Sequence, residues 1–410
     1  MKVLVLNCGS SSVKYQLIET SLEAIEKNAD QMLARGAVER IGTGSAVHTF
    51  QVPGREKVTD SKEILEHRDA LADILRVLTH RETGVIGDPS EVDAVGHRMV
   101  HGGEHFTTSA LATPEAIRAV QDCVPLAPLH NPPNLRGYEA AKRILPDVPH
   151  ALVFDTAYHQ TMPQVAFMYG LPYVLYTRHG IRRYGFHGTS HRFVGWRSRV
   201  LLGRPREQTR LVTCHLGNGS SVCAIHHGRS VDTSLGFTPL EGLLMGTRCG
   251  DLDPGVIFHV MHAEDLSEHQ LTTMLNKHSG LYGISGVSND MRELLEAEAK
   301  GHERAKLAID MFCYRLRKYV AAFAGAMGGV DAVIFTGGIG ENAPAIRERA
   351  LAGLEFVGLR LDPAKNAAAV GREADVSAEG AAVRTLVIPT NEELIIARDT
   401  VRLVAGAEQD

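Results

Sequence analysis

Apolar residues in this chain fall in short blocks that end in small polar turns. Val3 to Leu6 leads into Asn7-Cys8-Gly9-Ser10-Ser11-Ser12, after which Val13, Tyr15 and Leu17 alternate with polar neighbours. Alternation on both sides of a tight turn predicts a β-hairpin. The pattern returns about half a chain later: Leu211 to Leu216, then Gly217-Asn218-Gly219-Ser220-Ser221, then Val222, Ala224 and Ile225. Small residues in such turns let backbone N–H groups approach an anion, and the serines add donors. Two related hairpins point to a duplicated nucleotide-binding core with one phosphate-binding turn in each half. A third block, Ala332 to Phe335, runs into Thr336-Gly337-Gly338-Ile339-Gly340-Glu341-Asn342, which reads as another Gly-rich turn.

Helical periodicity fills the spaces between. Asp60 with Glu63 reads as a helix start leading through Ile64, Leu65, Leu71, Ile74, Leu75 and Leu78. Leu307, Met311, Phe312, Leu316, Val320 and Phe323 form one stripe of a helix over Glu303 to Met327, closed by Gly328-Gly329. Strand-like runs cover Asp93 to Val100, Ala151 to Phe154 and Leu386 to Ile388. Pro389-Thr390-Asn391 then precedes a last helix from Glu392. The chain is mixed α/β, and the duplication places one core before and one after a cut near Asp155.

Composition narrows the class without naming a function. With 410 residues, 44% of them hydrophobic, two or three domains can each bury a core. A net charge of −5 with interspersed signs gives no support to a nucleic-acid or membrane partner. Six cysteines without a C-x-x-C pair suit reduced thiols and a cytoplasmic location. The first apolar run is too short for a signal peptide, and no stretch approaches membrane-spanning length.

Several familiar motifs fail. No Gly-Lys-Ser/Thr is present, so the Walker phosphate loop is missing. His67-Arg68-Asp69 imitates a protein-kinase catalytic loop, but Ile74 stands where Asn is needed, and the tripeptide reads as a solvated helix face. Gly338-x-Gly340 lacks the third glycine of a dinucleotide fingerprint, Asp251-x-Asp253-x-Gly255 lacks the closing Glu of a calcium loop, and no His-Glu-x-x-His occurs.

What remains is a set of polar clusters: Gly96-His97-Arg98-Met99-Val100-His101-Gly102-Gly103, Ala127-Pro128-Leu129-His130-Asn131-Pro132-Pro133-Asn134, and Val153-Phe154-Asp155. To these add Arg183 to His191, Met245 to Pro254, and Pro389-Thr390-Asn391-Glu392-Glu393-Leu394. Together they resemble the acetate kinase family, over nearly the whole chain from Val5 to Leu394. The hairpins in turn resemble the wider superfamily of acetate and sugar kinases, heat-shock chaperones and actin. Small departures are Gly337 where Ala is expected, Cys249 where Ser is common, and Leu244 and Leu252 for similar apolar residues.

The resemblance implies two actin-like ATPase domains on a duplicated ribonuclease H-like core, with the active site in the cleft between them. It places 1–155 with 390–410 in the first domain, completed by the C-terminal helix, and 156–389 in the second. It implies a magnesium-dependent transfer between ATP and acetate, with manganese able to stand in, by a cytoplasmic homodimer. Propionate kinase is the second reading in the same class, and a chaperone- or actin-like ATPase the alternative from another. Asp155, His187 and Arg248 match the family's catalytic positions. Arg98 and His130 match substrate positions, with Val100, Leu129, Phe186 and Pro239 around the methyl group. Asn7 and Glu392 match magnesium ligands. For nucleotide, the match carries over Lys14, then His215, Leu216, Gly217, Asn218 and Gly219. It continues through Asp290, Met291 and Arg292 to Gly338, Ile339, Gly340, Glu341 and Asn342.

The chemistry agrees with an Arg- and His-rich site. A carboxylic acid of pKa about 4 to 5 is already ionised near neutrality, so no base is needed to make the nucleophile. The work is to bring two anions together in line, by positioning and charge neutralisation. On this argument Arg98 grips the carboxylate, while Asp155 orients water or the transfer machinery instead of acting as a base. The same argument denies Cys249 a nucleophilic role, because no covalent step is required.

Overall fold

The computed structural model describes residues 1–408; the last two positions of the span expected to complete the first domain lie outside the described residues. The chain divides into two compact units, one holding Met1–Tyr158 and the chain from Asn391 onward, the other His159–Thr390.

The first unit is built on one sheet. Its strands are β1 (Lys2–Cys8), β2 (Ser12–Glu19), β3 (Gln31–Glu39), β4 (Thr43–Gln51), β5 (Val58–Ile64), β6 (Ala94–Met99), β7 (Ala110–Leu111) and β8 (His150–Phe154). They lie in the order β5-β4-β3-β2-β1-β6-β8-β7. β1 to β5 form an antiparallel meander, whereas β6 runs parallel to β1 and β8 parallel to β6. One face packs Leu4, Leu6, Val13 and Tyr15 against Leu71, Ile74 and Leu78 of the helix His67–Leu78. On the other face Val3, Val5 and Val153 meet Ile396, Ala397 and Val401 of the C-terminal helix Glu392–Ala405. Apolar residues on both faces of β1 explain its unbroken hydrophobic run.

The second unit repeats the plan with β9 (Arg210–Leu216), β10 (Ser220–His226), β11 (Arg229–Thr233), β12 (Ala332–Thr336), β13 (Ala374–Asp375) and β14 (Arg384–Val387). Their order is β11-β10-β9-β12-β14-β13, with β9 to β11 antiparallel and β12 and β14 parallel to β9 and to each other. Three antiparallel strands followed by two parallel ones thus occur twice, the duplication that the paired hairpins announced and that the resemblance specified as a ribonuclease H-like core. The helix Glu303–Ala326 covers this sheet with Ala305, Ala308, Ile309, Phe312, Leu316, Val320 and Phe323.

Four local expectations fail for physical reasons. Asp60 and Glu63 do not open a helix: they lie in edge strand β5, with Asp60 opposite His48, and the helix begins at His67. Charged residues suit an exposed edge strand, and pairing with β4 overrides the capping pattern. His67 is buried and donates Nε2–H to Gly9 O at 2.8 Å, so only Arg68 and Asp69 belong to the solvated face. Leu307 is 52% exposed, because the buried stripe runs through Ala305 and Ile309 on the other side of that helix. The third Gly-rich segment is a short helix, Gly337–Asn342, rather than an open turn. Gly337 enters it at φ +76, and a Cβ there would lie 2.7 Å from Leu216 O, which accounts for glycine at a position expected to be alanine.

Candidate active site

In the first unit the site residues gather at the C-terminal ends of parallel strands, where open α/β sheets place their ligands. β1 and β6 pair as far as Leu6 opposite His97, so Asn7 and Arg98 come next on adjacent strands. Asp155 directly follows β8. Arg98 meets it edge to edge, Nε to Oδ1 at 2.9 Å and Nη2 to Oδ2 at 2.5 Å, and its Nη1 donates to Asn7 Oδ1 at 3.1 Å. Burial works against the Arg98 cation, but Asp155 and Glu392 outweigh it and hold its pKa above the usual guanidinium value. Burial pushes the Asp155 carboxyl up, opposed by Arg98.

In this geometry Arg98 spends one edge of its fork on Asp155. The fork edge formed by Nε and Nη2 is occupied by Asp155, not held open for substrate. A guanidinium has five N–H donors. Three are engaged here, which leaves one hydrogen on Nη1 and one on Nη2. Both oxygens of Asp155 are likewise committed, which suits a residue that orients Arg98 and argues against a free base.

The neighbouring groups fall into place around that pair. Asn134, which carried no expected role, accepts from Val100 N at 3.0 Å and donates to Cys8 O at 2.7 Å, tying β6 to β1. Its signal in the sequence is its place at the end of the Pro-Pro-Asn segment. Val100 is buried, whereas Leu129 is 71% exposed on the turn that leads to His130. His130 is half-buried at the start of the helix Asn131–Ile144. Lys14 lies opposite Asn7 across the first hairpin with its side chain exposed. Glu392 and Glu393 open the C-terminal helix, and burial, reinforced by Glu392, pushes the Glu393 carboxyl up.

In the second unit His187, Arg248 and Gly219 converge. A Cβ placed on Gly219 would sit 3.4 Å from Arg248 Nη1 and 3.7 Å from His187 Nε2, so glycine leaves this space open to both. His187 holds φ +58 at the start of the helix Gly188–Leu202, a strained conformation of the kind that clusters at functional sites. Its Nδ1 lies 2.8 Å from Ser221 Oγ, and its ring stacks obliquely on His215 at 4.3 Å between centroids. Arg248 Nη1 donates to Pro239 O at 3.2 Å, and burial lowers the pKa of its guanidinium. Phe186 is buried and Pro239 half-buried.

The nucleotide positions separate into exposed and structural members. Leu216 ends β9 in the core. The Gly217 N–H turns inward to Gly219 O at 3.1 Å, as Gly9 N–H does to Ser12 O at 2.8 Å, so neither is offered to an anion as the turn pattern had suggested. Asn218 Oδ1 accepts from Asn289 at 2.9 Å. Asp290 caps the helix Met291–Ala299 and pairs with the exposed Arg292 guanidinium. Met291 packs its side chain into the core. Ile339 also packs on that core. Glu341 is a strut, with Oε1 accepting from Gly337 N at 2.8 Å and Thr390 N at 3.2 Å. Asn342 does not cap the helix Pro344–Leu351; its Nδ2 donates to Gly338 O at 2.9 Å. Gly338 has no atom within 4 Å of a would-be Cβ, and Gly340 packs closely on Phe335. The Cys249 thiol donates to Gly250 O, and burial pushes its pKa up.

Residues 2–398 match the model of the acetokinase family. The chain belongs to that family. It is 52% identical over 407 residues to an acetate kinase of Caldanaerobacter subterraneus subsp. tengcongensis, covering 99% of this chain and 100% of the relative. The crystal structure of Porphyromonas gingivalis acetate kinase superposes with a TM-score of 0.93 at 48% identity, covering 98% and 99% of the two chains. A propionate kinase from Francisella tularensis subsp. tularensis gives 0.88 at 40% identity, covering 98% and 99%. The chain is therefore an enzyme of this kinase family, whose members use ATP or ADP. Among the described residues no helix is long and apolar enough to cross a membrane.

Proposed function

We propose that this protein reversibly transfers the ATP γ-phosphoryl group to acetate, giving acetyl phosphate and ADP. The observation that carries the reading is the Arg98 guanidinium, locked by Asp155 and Asn7 with two N–H donors left over. A carboxylate oxygen attacks phosphorus while the bond to the β–γ bridging oxygen breaks, and its electron pair leaves with ADP. No proton moves, so the side chains supply position and positive charge. Arg98 steadies the carboxylate with His130 of the same unit, and Arg248 and His187 stabilise charge on the transferring group. The segment His215–Gly219 and the helix Gly337–Asn342 serve the nucleotide. Acetate is favoured over propionate by the higher identity to an acetate kinase.

Magnesium fits the residues present. Asn7 and Glu392 offer hard oxygen donors, and Glu392 is close enough to act on the charges of Arg98 and Asp155. Among the described residues no group of three or more His, Cys, Asp or Glu could hold an ion alone. Magnesium takes one or two protein ligands and keeps waters and phosphate oxygens. When bound, it would neutralise phosphate charge. A cytoplasmic homodimer completes the proposal, supported by family membership.

The test is a hydroxylamine-trapping assay with ATP, magnesium and a series of short carboxylates. Acyl hydroxamate formed best from acetate supports the reading. Best formation from propionate moves the enzyme to the second reading, and none from any carboxylate overturns both.

A further inference from the structure

The loop of the second unit that carries Pro239 is folded around three polar side chains. Arg183 Nη2 donates to Glu241 Oε1 at 2.6 Å. Its Nη1 reaches three successive carbonyls, Thr233 O at 3.0 Å, Ser234 O at 3.2 Å and Leu235 O at 3.3 Å. The Tyr169 hydroxyl donates to Glu241 Oε2 and accepts from Phe237 N at 2.8 Å. Burial works against the Arg183 cation, but Glu241 outweighs it and raises its pKa. Burial and Glu241 together push the Tyr169 phenol up, so it keeps the hydrogen that it gives to Glu241.

The backbone is shaped to this cluster. Gly236 has no side chain because the space is taken: a Cβ there would lie 1.7 Å from Glu241 Oε2 and 2.3 Å from Tyr169 Oη. Two contacts lead from the loop to the site. Gly236 O accepts from Tyr184 N at 3.1 Å and Gly185 N at 3.2 Å, the two residues before Phe186. Pro239 O accepts from Arg248 Nη1 at 3.2 Å. The loop thus ties Phe186, Pro239 and the Arg248 guanidinium to one support.

We infer that Glu241 is a positioning residue, which, clamped by Arg183 and Tyr169, fixes the loop 234–240 so that Pro239 and Phe186 hold the apolar end of a short carboxylate while Pro239 O steadies Arg248. This rests on the proposed transfer to acetate and adds what sets chain-length selection: the place of a loop as well as the size of the side chains on it. A positioned group that moves by about 1 Å can cost as much as 100-fold in rate. Glu241 acts through the loop, so its loss should be felt at the acyl end and at Arg248 together.

The experiment measures kcat and KM for acetate, propionate and ATP in the full-length wild type, Glu241→Ala and Glu241→Gln. Glu241→Ala removes the acceptor of both Arg183 Nη2 and the Tyr169 hydroxyl. It should lower kcat with acetate roughly 10- to 100-fold. The ratio of kcat/KM should move toward propionate by up to about 10-fold, with KM for ATP little changed. Glu241→Gln keeps an oxygen for Arg183 and an amide for the phenol, and should restore most of both effects. Should Glu241→Ala fail to fold, Tyr169→Phe removes a single hydroxyl from the cluster, and a smaller shift of the same kind is expected. A lowered melting temperature with kcat and the propionate-to-acetate ratio unchanged overturns the inference, since the cluster would then serve the fold alone. A rise in KM for ATP as large as that for acetate overturns it as well, because the loosening would be general. A wild type that phosphorylates no short carboxylate instead refutes the transfer reading, and the inference falls with it.

Discussion

Arg98 and Asp155 form a two-point ion pair in which both carboxylate oxygens and one whole edge of the guanidinium are spent on each other. The two come from neighbouring parallel strands, Arg98 near the end of β6 and Asp155 just past β8. The pair fixes the plane of the guanidinium before any substrate arrives, which is preorganisation in the ordinary sense of the word. Asp155→Asn keeps the shape and removes the charge. We expect kcat to fall, and the wild type to show no acid limb in kcat/KM once acetate's own protonation is subtracted; a limb that survives the subtraction would contradict this. Loss of that limb in the variant would make Asp155 a base.

The two arginines should separate kinetically. Arg248 acts on charge that develops during transfer, so Arg248→Ala should lower kcat by roughly 10³-fold with little change in ATP binding. Arg98→Ala should chiefly raise KM for acetate. Near-wild-type kinetics for both variants would remove these residues from the site.

Both arginines stand out in the sequence because each lies between glycines or at a strand end, where few structural duties compete for a charged group. The paired hairpins likewise announced the repeated sheet, since period-two alternation survives whatever packs on it. Reading failed where tertiary pairing decided the outcome. Asp60 looks like a helix cap but lies opposite His48 on an edge strand. Leu307 looks like part of the buried stripe of its helix but is 52% exposed. Ser221 was visible as part of a turn motif, but its bond to His187 joins residues 34 apart and has no local signature.

A second buried network makes a prediction about acid stability. Tyr15 Oη lies 2.8 Å from His48 Nε2, His48 Nδ1 lies 2.6 Å from Asp73 Oδ2, and Lys62 donates to Asp73 Oδ1 at 2.6 Å. Burial alone would raise the Asp73 carboxyl, but the hydrogen bonds from His48, Lys62 and Arg76 outweigh it and hold the pKa below the usual range. A carboxyl depressed on folding adds stability that is complete above its unfolded value of about 3.9 and is lost as pH falls through the folded value. Asp73→Asn should therefore cost about 1–3 kcal/mol at pH 7. The gap from wild type should close as the pH drops below about 4. Urea unfolding at both pH values checks this, and a gap that widens in acid would contradict it.

The C-terminal helix is tied to the first unit by a buried ion pair. Arg398 Nε donates to Asp30 Oδ2 at 3.1 Å and Nη2 to Asn28 Oδ1 at 2.6 Å. Replacing Arg398 with Met strands a buried carboxylate, at a cost of roughly 3–5 kcal/mol. Because the same helix begins with Glu392, the variant should also need more magnesium for half-maximal rate. Thermal unfolding and a magnesium titration read the two effects, and an unchanged melting temperature would show that the pair holds nothing in place.

The last prediction concerns the acyl end of the site. Val100 is the second residue after Arg98, is 6% exposed, and is held in place by its N–H bond to Asn134. Val100→Ala removes apolar bulk beside the proposed carboxylate grip and makes room for a longer acyl chain. Only apolar contact changes, so the discrimination between propionate and acetate should shift by about 1–3 kcal/mol at most. Nucleotide affinity should not move, since Val100 lies in the unit that carries Arg98 and not in the one that carries the His215–Gly219 segment. Measuring kcat/KM for both acids in wild type and variant decides the matter. A constant ratio would show that Val100 does not line the pocket, and because Leu129 is already largely exposed, the chain-length wall would then have to be sought at Phe186 or Pro239.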